Sequence, residues 1–206
     1  MKSIAIMGAS GHCKVVADIA LLNGYDDIVF IDKNPEIDML GEYPVADEET
    51  DLDYYLNHHF DFVVGIGDAK IRRKVQENLE ELGADIVTLI HPSAVVAYDV
   101  IIGEGTVIMA DAVVNPGTTI GKGCIINTSS SVDHDNVIGD FVHISVGAHT
   151  AGTVTMGDNC WLGIGAIVSN NIDICADAFI CAGGVVVKNL TKPGKYAGVP
   201  ARIVPM

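Results

Sequence analysis

The chain has 206 residues, 49% of them hydrophobic and 19% charged, a composition that supports a sizeable core and excludes disorder. Twelve basic against 27 acidic residues leave a net charge of −15, which repels nucleic acid and anionic membrane over most of the surface. The sign is not uniform. No Asp or Glu follows Asp177, whereas Lys188, Lys192, Lys195 and Arg202 do, so the C-terminal end suits an anionic ligand. The apolar run Ile4 to Met7 is too short for a signal-peptide core or a membrane span and points to a cytoplasmic protein. Five cysteines, 13, 124, 160, 175 and 181, are odd in number and lack C-x-x-C spacing. They read as reduced packing residues rather than a disulfide framework or zinc ribbon.

In chain order, Ser3 to Met7 forms a short apolar strand, and His12 to Asn23 has helical spacing through Val15, Val16, Ile19 and Leu22. Ile28 to Asp32 reads as a second strand and Asp61 to Ile66 as a third. Ala69 to Leu82 reads as a polar-faced helix closed by Gly83, and Asp85 to Leu89 as a fourth strand. Alternating strands and helices define an α/β, Rossmann-like domain over residues 1–89. The stretch Asp51 to Phe60, with His58 and His59, reads as solvated surface.

At Ile90 the period changes. Stepping by six from Ile90 to Val186 visits seventeen positions, of which all but Thr150 are apolar. The overall composition would place only about eight there, so chance does not explain the pattern. Small or β-branched residues recur four positions after each step, as at Ala94, Thr106, Ala112, Thr118 and Ala148. Six residues are too few for a helix pair and fit one side of a triangular solenoid, in which each inward residue stacks on its equivalent eighteen residues later. Residues 90–206 are therefore expected to form an all-β parallel β-helix with a C-terminal tail, whose flat faces can pack against copies of the same chain.

Two places carry candidate chemistry. Gly8-Ala9-Ser10-Gly11-His12 joins a strand to a helix, where backbone N–H groups and the helix dipole favour a phosphate. It is not the G-x-G-x-x-G fingerprint, yet Asp32 ends the second strand where a ribose or base contact is usual, and Gly65-Ile66-Gly67 ends the third beside the same crevice. The other place is Ser129 to Asp135, followed by His143 and His149. His134 stands between Asp133 and Asp135, and a histidine between carboxylates is held in one tautomer with its basicity raised, as a general base requires. A single surface histidine is ordinarily structural, but three within sixteen residues are less so. His91, before Pro92, reads as structural, and Cys124 and Cys160 occupy small packing positions.

With those residues in view, the chain resembles the bacterial hexapeptide sugar acetyltransferases, a sialic acid O-acetyltransferase-like group. It is most similar to the UDP-4-amino-sugar N-acetyltransferases of the diacetylbacillosamine pathway. The matching segments are Met7-Gly-Ala-Ser-Gly-His12, Gly65-Ile-Gly67 with Ile71-Arg-Arg-Lys74, Leu89-Ile-His-Pro-Ser93, Asn127-Thr-Ser-Ser130, Val132-Asp-His-Asp135 with Phe141-Val-His-Ile-Ser-Val-Gly147, and Gly198-Val-Pro-Ala201. The resemblance implies a left-handed β-helix, a homotrimer, acetyl-CoA in a groove between prisms, and a nucleotide sugar on the N-terminal domain. It implies His134 as general base, Asp135 as its acidic partner and His143 near the thioester carbonyl. Gly8, Ser10, Gly11, His12 and Asp32 then fall at the nucleotide-sugar site, joined by Gly65, Gly67 and Asn127. Gly152, Ile164, Ala182 and Gly183 fall along the acetyl-CoA path, with Lys188, Lys192, Lys195 and Arg202 placed to meet its phosphates.

Cys13 and Asp68 depart from the family pattern, which has glycine and asparagine there, and a carboxylate at 68 would repel a pyrophosphate. The activity implied is direct N-acetylation of a nucleotide-linked 4-amino-deoxy sugar without an acyl-enzyme and without a metal. O-acetylation of sialic acid or a related sugar is the nearest alternative. A zinc-dependent hydratase of the γ-carbonic anhydrase type fits less well, because the nine- and six-residue spacings of His134, His143 and His149 do not resemble that family's. A non-catalytic solenoid would bind no acetyl-CoA.

Overall fold

A computed structural model of the protein describes residues 2–205. They divide into two compact units, one ending at Pro92 and one beginning at Ser93.

The first unit is a six-stranded sheet in the order β3-β4-β2-β1-β5-β6, built from β1 (Ser3–Met7), β2 (Asp27–Asp32), β3 (Met39–Leu40), β4 (Tyr43–Asp47), β5 (Asp61–Val64) and β6 (Asp85–Ile86). All neighbours are parallel except the β3–β4 hairpin. Successive strand residues point to opposite faces. Ala5, Met7, Val29, Ile31, Phe62 and Val64 thus share one face and pack against α2 (Glu48–Asn57) and α3 (Ala69–Glu81) through Leu52, Tyr55, Leu56, Val75 and Leu79. Ile4, Ile6, Ile28 and Phe30 point the other way, where α1 (Gly11–Leu22) buries Cys13, Val16, Ala17, Ile19 and Ala20. The sheet therefore carries helices on both faces, and its strand ends converge on one crevice.

Three elements depart from the reading of the sequence: the β3–β4 hairpin is absent from it, the strand expected over Asp85 to Leu89 stops at Ile86 in this sheet, and a helix spans Glu48–Asn57. Residues 48–57 are not plain solvated surface but helix α2. Asp47 caps it by accepting the N–H groups of Glu49 and Thr50, and Glu48, Glu49 and Asp51 favour its first turn. His58 and His59 do lie in the open. The His58 ring stacks on Tyr54 at 3.9 Å between centroids.

The second unit is a parallel β-helix of two-residue strands, visiting three faces in turn. The first face takes 107–108, 125–126, 143–144, 161–162 and 178–180. The second takes strands from 95–96 to 185–186, and the third from 101–102 to 173–174. Every pairing among these strands is parallel and offset by eighteen residues, for example Val114 with Val132 and Ile126 with Ile144. One coil is thus three hexapeptides. The inward positions from Ile108 to Val186 are all buried, Thr150 included. Four-residue corners join the faces, and their third residue is left-handed: glycine at 105, 117, 123, 147, 165 and 183, and Asp, Asn, Ser, Thr or Phe elsewhere. The solenoid closes where Gly194–Ala197 pairs with Arg202–Val204 in antiparallel register, which covers an otherwise exposed edge.

Candidate active site

His134 occupies the corner between the second and third faces, with Asp133 before it and Asp135, at φ 56, after it. The two carboxylates do different work. Asp135 Oδ2 lies 2.8 Å from His134 Nδ1, whereas Asp133 Oδ1 accepts the backbone N–H of His134 at 2.8 Å and the Asn115 amide at 2.9 Å. Those two hydrogen bonds hold the Asp133 carboxyl below its ordinary range, the His134 N–H contributing most. The Asp135 hydrogen bond raises the His134 imidazole above its ordinary value, and the charges of Asp133 and Asp135 add to it. Because Nδ1 faces a carboxylate, it carries the proton in the neutral ring, and Nε2 is left with its lone pair. The ring is exposed and lies against Gly152 on the next coil.

The corner is fastened from inside. Asn136 is wholly buried, and its Nδ2 reaches the carbonyls of Asp133, His134 and Ala151 at 2.8, 3.1 and 3.0 Å. The Thr118 hydroxyl, one coil earlier, donates to the Asp133 carbonyl at 2.8 Å. Asn115 and Asn136 had no place in the motif reading, and Thr118 figured there only as a small position of the repeat. Their signal was present as polar residues at or beside inward positions of an otherwise apolar repeat.

His143 lies on the first face, 6% exposed. Asn127 Oδ1 accepts the N–H of Thr128 at 2.8 Å, which turns its Nδ2 toward His143 Nε2 at 3.0 Å. His143 Nε2 is therefore an acceptor, and Nδ1 is buried within the chain. The ring packs on Trp161 at 4.6 Å, Trp161 in turn lies 5.6 Å from Phe179, and the Trp161 indole donates to Ser145 Oγ at 2.7 Å. His149, on the second face, meets the Ser131 hydroxyl at 2.8 Å through Nδ1. Among the described residues, no three His, Cys, Asp or Glu side chains converge as a metal site.

The residues expected along the acetyl-CoA path divide between two corners. Ile164, Ala182 and Gly183 stack on the corner between the first and second faces, where the Gly183 N–H donates to the Ile164 carbonyl at 2.8 Å and Ile164 is 63% exposed. Gly152 and Lys188 share the corner of His134. Lys188, Lys192 and Arg202 line a cavity of about 330 Å³ with Leu190 and Tyr196. Lys195 is elsewhere, its ammonium 5.8 Å from the centre of the Phe179 ring.

In the first unit, Gly8 adopts φ +104, and its N–H donates to the Ile31 carbonyl. The N–H of Ala9 donates to Asp32 Oδ2 at 2.7 Å and that of Asn34 to Oδ1 at 2.9 Å, so Asp32 draws the ends of β1 and β2 together. Ser10 begins α1 without a side-chain cap, which leaves the first-turn N–H groups of a twelve-residue helix facing the crevice. Cys13 is explained by packing. Its thiol donates to the Gly65 carbonyl at 3.0 Å and fills the space beside Gly8 and Gly65, and burial pushes its pKa up. Burial, and then the charge of Arg72, lower the pKa of His12 to about 4. Arg72 itself is fully buried and donates to the carbonyls of Ile66 and Gly67. Asp68 caps α3, its Oδ1 accepting from Lys70 and Ile71. Lys33, Lys70 and Lys74 line a cavity of about 530 Å³ next to the Gly8 crevice. Glu48 lines the same cavity and pairs with Lys33 at 3.4 Å.

A Rossmann-like unit followed by a hexapeptide solenoid carrying an exposed Asp-paired histidine defines a two-part acyltransferase of the hexapeptide class. Residues 3–79 match the family described as the PglD N-terminal domain, and residues 99–134 match the bacterial transferase hexapeptide. The acetyltransferase domain of PglB from Neisseria gonorrhoeae, solved with acetyl coenzyme A, is 38% identical, with a TM-score of 0.94 over 98% of this chain and 99% of that one. PerB from Caulobacter crescentus, solved with CoA and GDP-perosamine, is 34% identical, with a TM-score of 0.95 over 100% and 98%. The UDP-N-acetylbacillosamine N-acetyltransferase of Bacillus subtilis is 36% identical over 116 residues, which span 53% of this chain and only 52% of that protein, about half its length. The chain belongs to the bacterial hexapeptide-repeat sugar acetyltransferases, and its solenoid is the left-handed parallel β-helix of that family.

Proposed function

We propose that the protein transfers the acetyl group of acetyl-CoA to the amine of a nucleotide-linked 4-amino-deoxy sugar, with His134 as general base. The observation that carries this reading is the His134–Asp135 pair: Nδ1 is pinned to a carboxylate at 2.8 Å and Nε2 is left as the basic nitrogen on an exposed corner. The neutral amine attacks the thioester carbonyl, Nε2 takes the amine proton as the C–N bond forms, and the C–S bond then breaks to release the CoA thiolate. That thiolate is protonated in turn. No acyl-enzyme is needed. Support for the substrates comes from relatives solved with acetyl coenzyme A or with CoA and GDP-perosamine. In this chain the loop Gly8 to His12, Asp32, Gly65 and Gly67 with the surrounding lysines suit the nucleotide diphosphate. Lys188, Lys192 and Arg202 suit the phosphates of CoA. His143, on the first face with Nε2 toward the Asn127 amide, lies near the thioester carbonyl of acetyl-CoA in this reading.

The working form is a homotrimer in the cytoplasm. In a triangular coil the corner between the second and third faces lies opposite the first face, so His134 and His143 point to opposite sides of one prism. A site that uses both needs two copies. Reduced thiols throughout suit a reducing compartment. Steady-state acetylation of 4-amino nucleotide sugars by His134→Ala tests the proposal. Loss of about 10² to 10⁴ in kcat is expected, and full activity refutes it. Equal turnover of a 4-hydroxy sugar would make the enzyme an O-acetyltransferase.

A further inference from the structure

Gly152 stands directly after His134 in the coil stacking, eighteen residues on. A Cβ built on it would meet, as its three nearest atoms, only the His134 ring: Cε1 and Nε2 at 2.5 Å and Cδ2 at 3.1 Å. Most corner glycines of the solenoid are explained otherwise. At 103, 121, 157 and 163 a Cβ would run into backbone of the following coil, so coil packing demands glycine there. At 117, 147, 165 and 183 the backbone is left-handed. Gly152 has neither reason, because its backbone lies outside the left-handed region and no backbone atom is among its nearest contacts. Below the pair, Gly117 gives the matching clearance, where a Cβ would strike Asp135 Oδ1.

We infer that Gly152 is a positioning residue for the acetyl transfer, its bare Cα forming the seat that holds the His134 imidazole flat and within reach of Asp135. The inference rests on His134 being the base. The seat is rigid because the Asn136 amide ties the His134 carbonyl and the Ala151 carbonyl, on adjacent coils, to one buried group. A methyl at 152 forces the ring away by about 1 Å, enough to break a 2.8 Å hydrogen bond to Asp135, and misplacement on that scale costs about 10²-fold in rate.

The test is Gly152→Ala, a substitution the backbone accepts and one that keeps the N–H. The full-length protein is read by thermal unfolding, by steady-state kinetics in both substrates, and by NMR titration of the histidines. The expected result is an unchanged thermal midpoint, kcat lowered about 10²-fold, and a His134 titration that falls back toward 6.5. An unchanged titration with unchanged kcat overturns the inference. So does a raised KM for acetyl-CoA with kcat and titration intact, which would make Gly152 part of the cofactor path only. The titration reads the ring without turnover. If His134→Ala proved fully active while Gly152→Ala still moved the titration, the base assignment would fail and the seat would stand.

Discussion

Replacing Asp135 by asparagine or by alanine distinguishes what its carboxylate does for His134. In the native pair Asp135 accepts from Nδ1 at 2.8 Å, so the neutral ring keeps its lone pair on Nε2. Asparagine keeps the shape and tolerates the left-handed φ of 56, but its amide can donate to Nδ1. Donation there moves the ring proton to Nε2, where it blocks the atom that accepts the substrate proton in the proposed mechanism. A wrong tautomer of this kind costs a histidine base about 10⁴-fold in a serine protease. Alanine removes the hydrogen bond without imposing a tautomer and should cost less, near the 10²-fold end of general-base effects. It adds roughly 1–2 kcal/mol of backbone strain at a left-handed position, visible as a lower Tm. The pH profile follows the sign of the shift. As the proposed base His134 must be neutral, and Asp135 raises its pKa, so activity should fall on the acid side through that raised value. In Asp135→Ala the acid limb moves to lower pH. Rates for the two variants, measured with saturating substrates across pH, decide the matter, and Asp135→Asn equal to or faster than Asp135→Ala would refute the tautomer argument.

Thr150 has a buried hydroxyl with no hydrogen-bond partner among the described residues, stacked between Val132 and Val168. Thr150→Val should stabilise the solenoid by roughly 1 kcal/mol, a rise of about 2–4 °C in Tm, and a fall would show that the hydroxyl is satisfied in solution. His12, whose pKa burial and Arg72 lower to about 4, stays neutral through physiological pH. The stability it contributes is present above 6.5 and lost as pH falls toward 4. NMR titration should give a midpoint near 4, and one near 6.5 contradicts its burial. Lys188→Ala with Arg202→Ala should raise KM for acetyl-CoA roughly 10-fold by removing charge-assisted contacts and spare KM for the sugar, whereas Lys195→Ala, over Phe179, should spare both.

The solenoid was legible because its interior repeats a single requirement. Every sixth residue must be apolar, so the pattern from Ile90 to Val186 declares both the coil and its inward face. The Rossmann-like unit was legible where strands were fully buried and ran as continuous apolar stretches, as at Ile28 to Ile31. Helix α2 was not. It packs only the half-buried Leu52, Tyr55 and Leu56 among acids, so burial periodicity was faint, and the informative signal was the cap at Asp47. His134 could be singled out from its flanking carboxylates, but not which carboxylate did what. Asp133 and Asp135 differ only through the corner's geometry, where the left-handed residue turns its side chain back onto the ring. Asn136 and Gly152 were harder still, because the contacts that matter, Asn136 to the Ala151 carbonyl and Gly152 to the His134 ring, cross from one coil to the next.

The same coil geometry makes the strongest case for a shared site, and it can be tested directly. His134 and Gly152 stand on one corner of the prism. Ile164, Ala182 and Gly183 stand on another, beside the first face that carries Asn127 and His143. No bending of a closed triangular coil brings those groups together within one chain. If the site forms between copies, an inactive His134→Ala chain and an inactive Ile164→Glu chain, whose new carboxylate repels the anionic cofactor, damage opposite sides of each junction. Unfolding and refolding them together in equal amounts should then generate junctions with both sides intact. Random assembly of three copies leaves about one quarter of junctions undamaged, so activity should rise to about a quarter of the wild-type value from two near-inactive parents. A site confined to one chain would give none, whatever the mixing ratio.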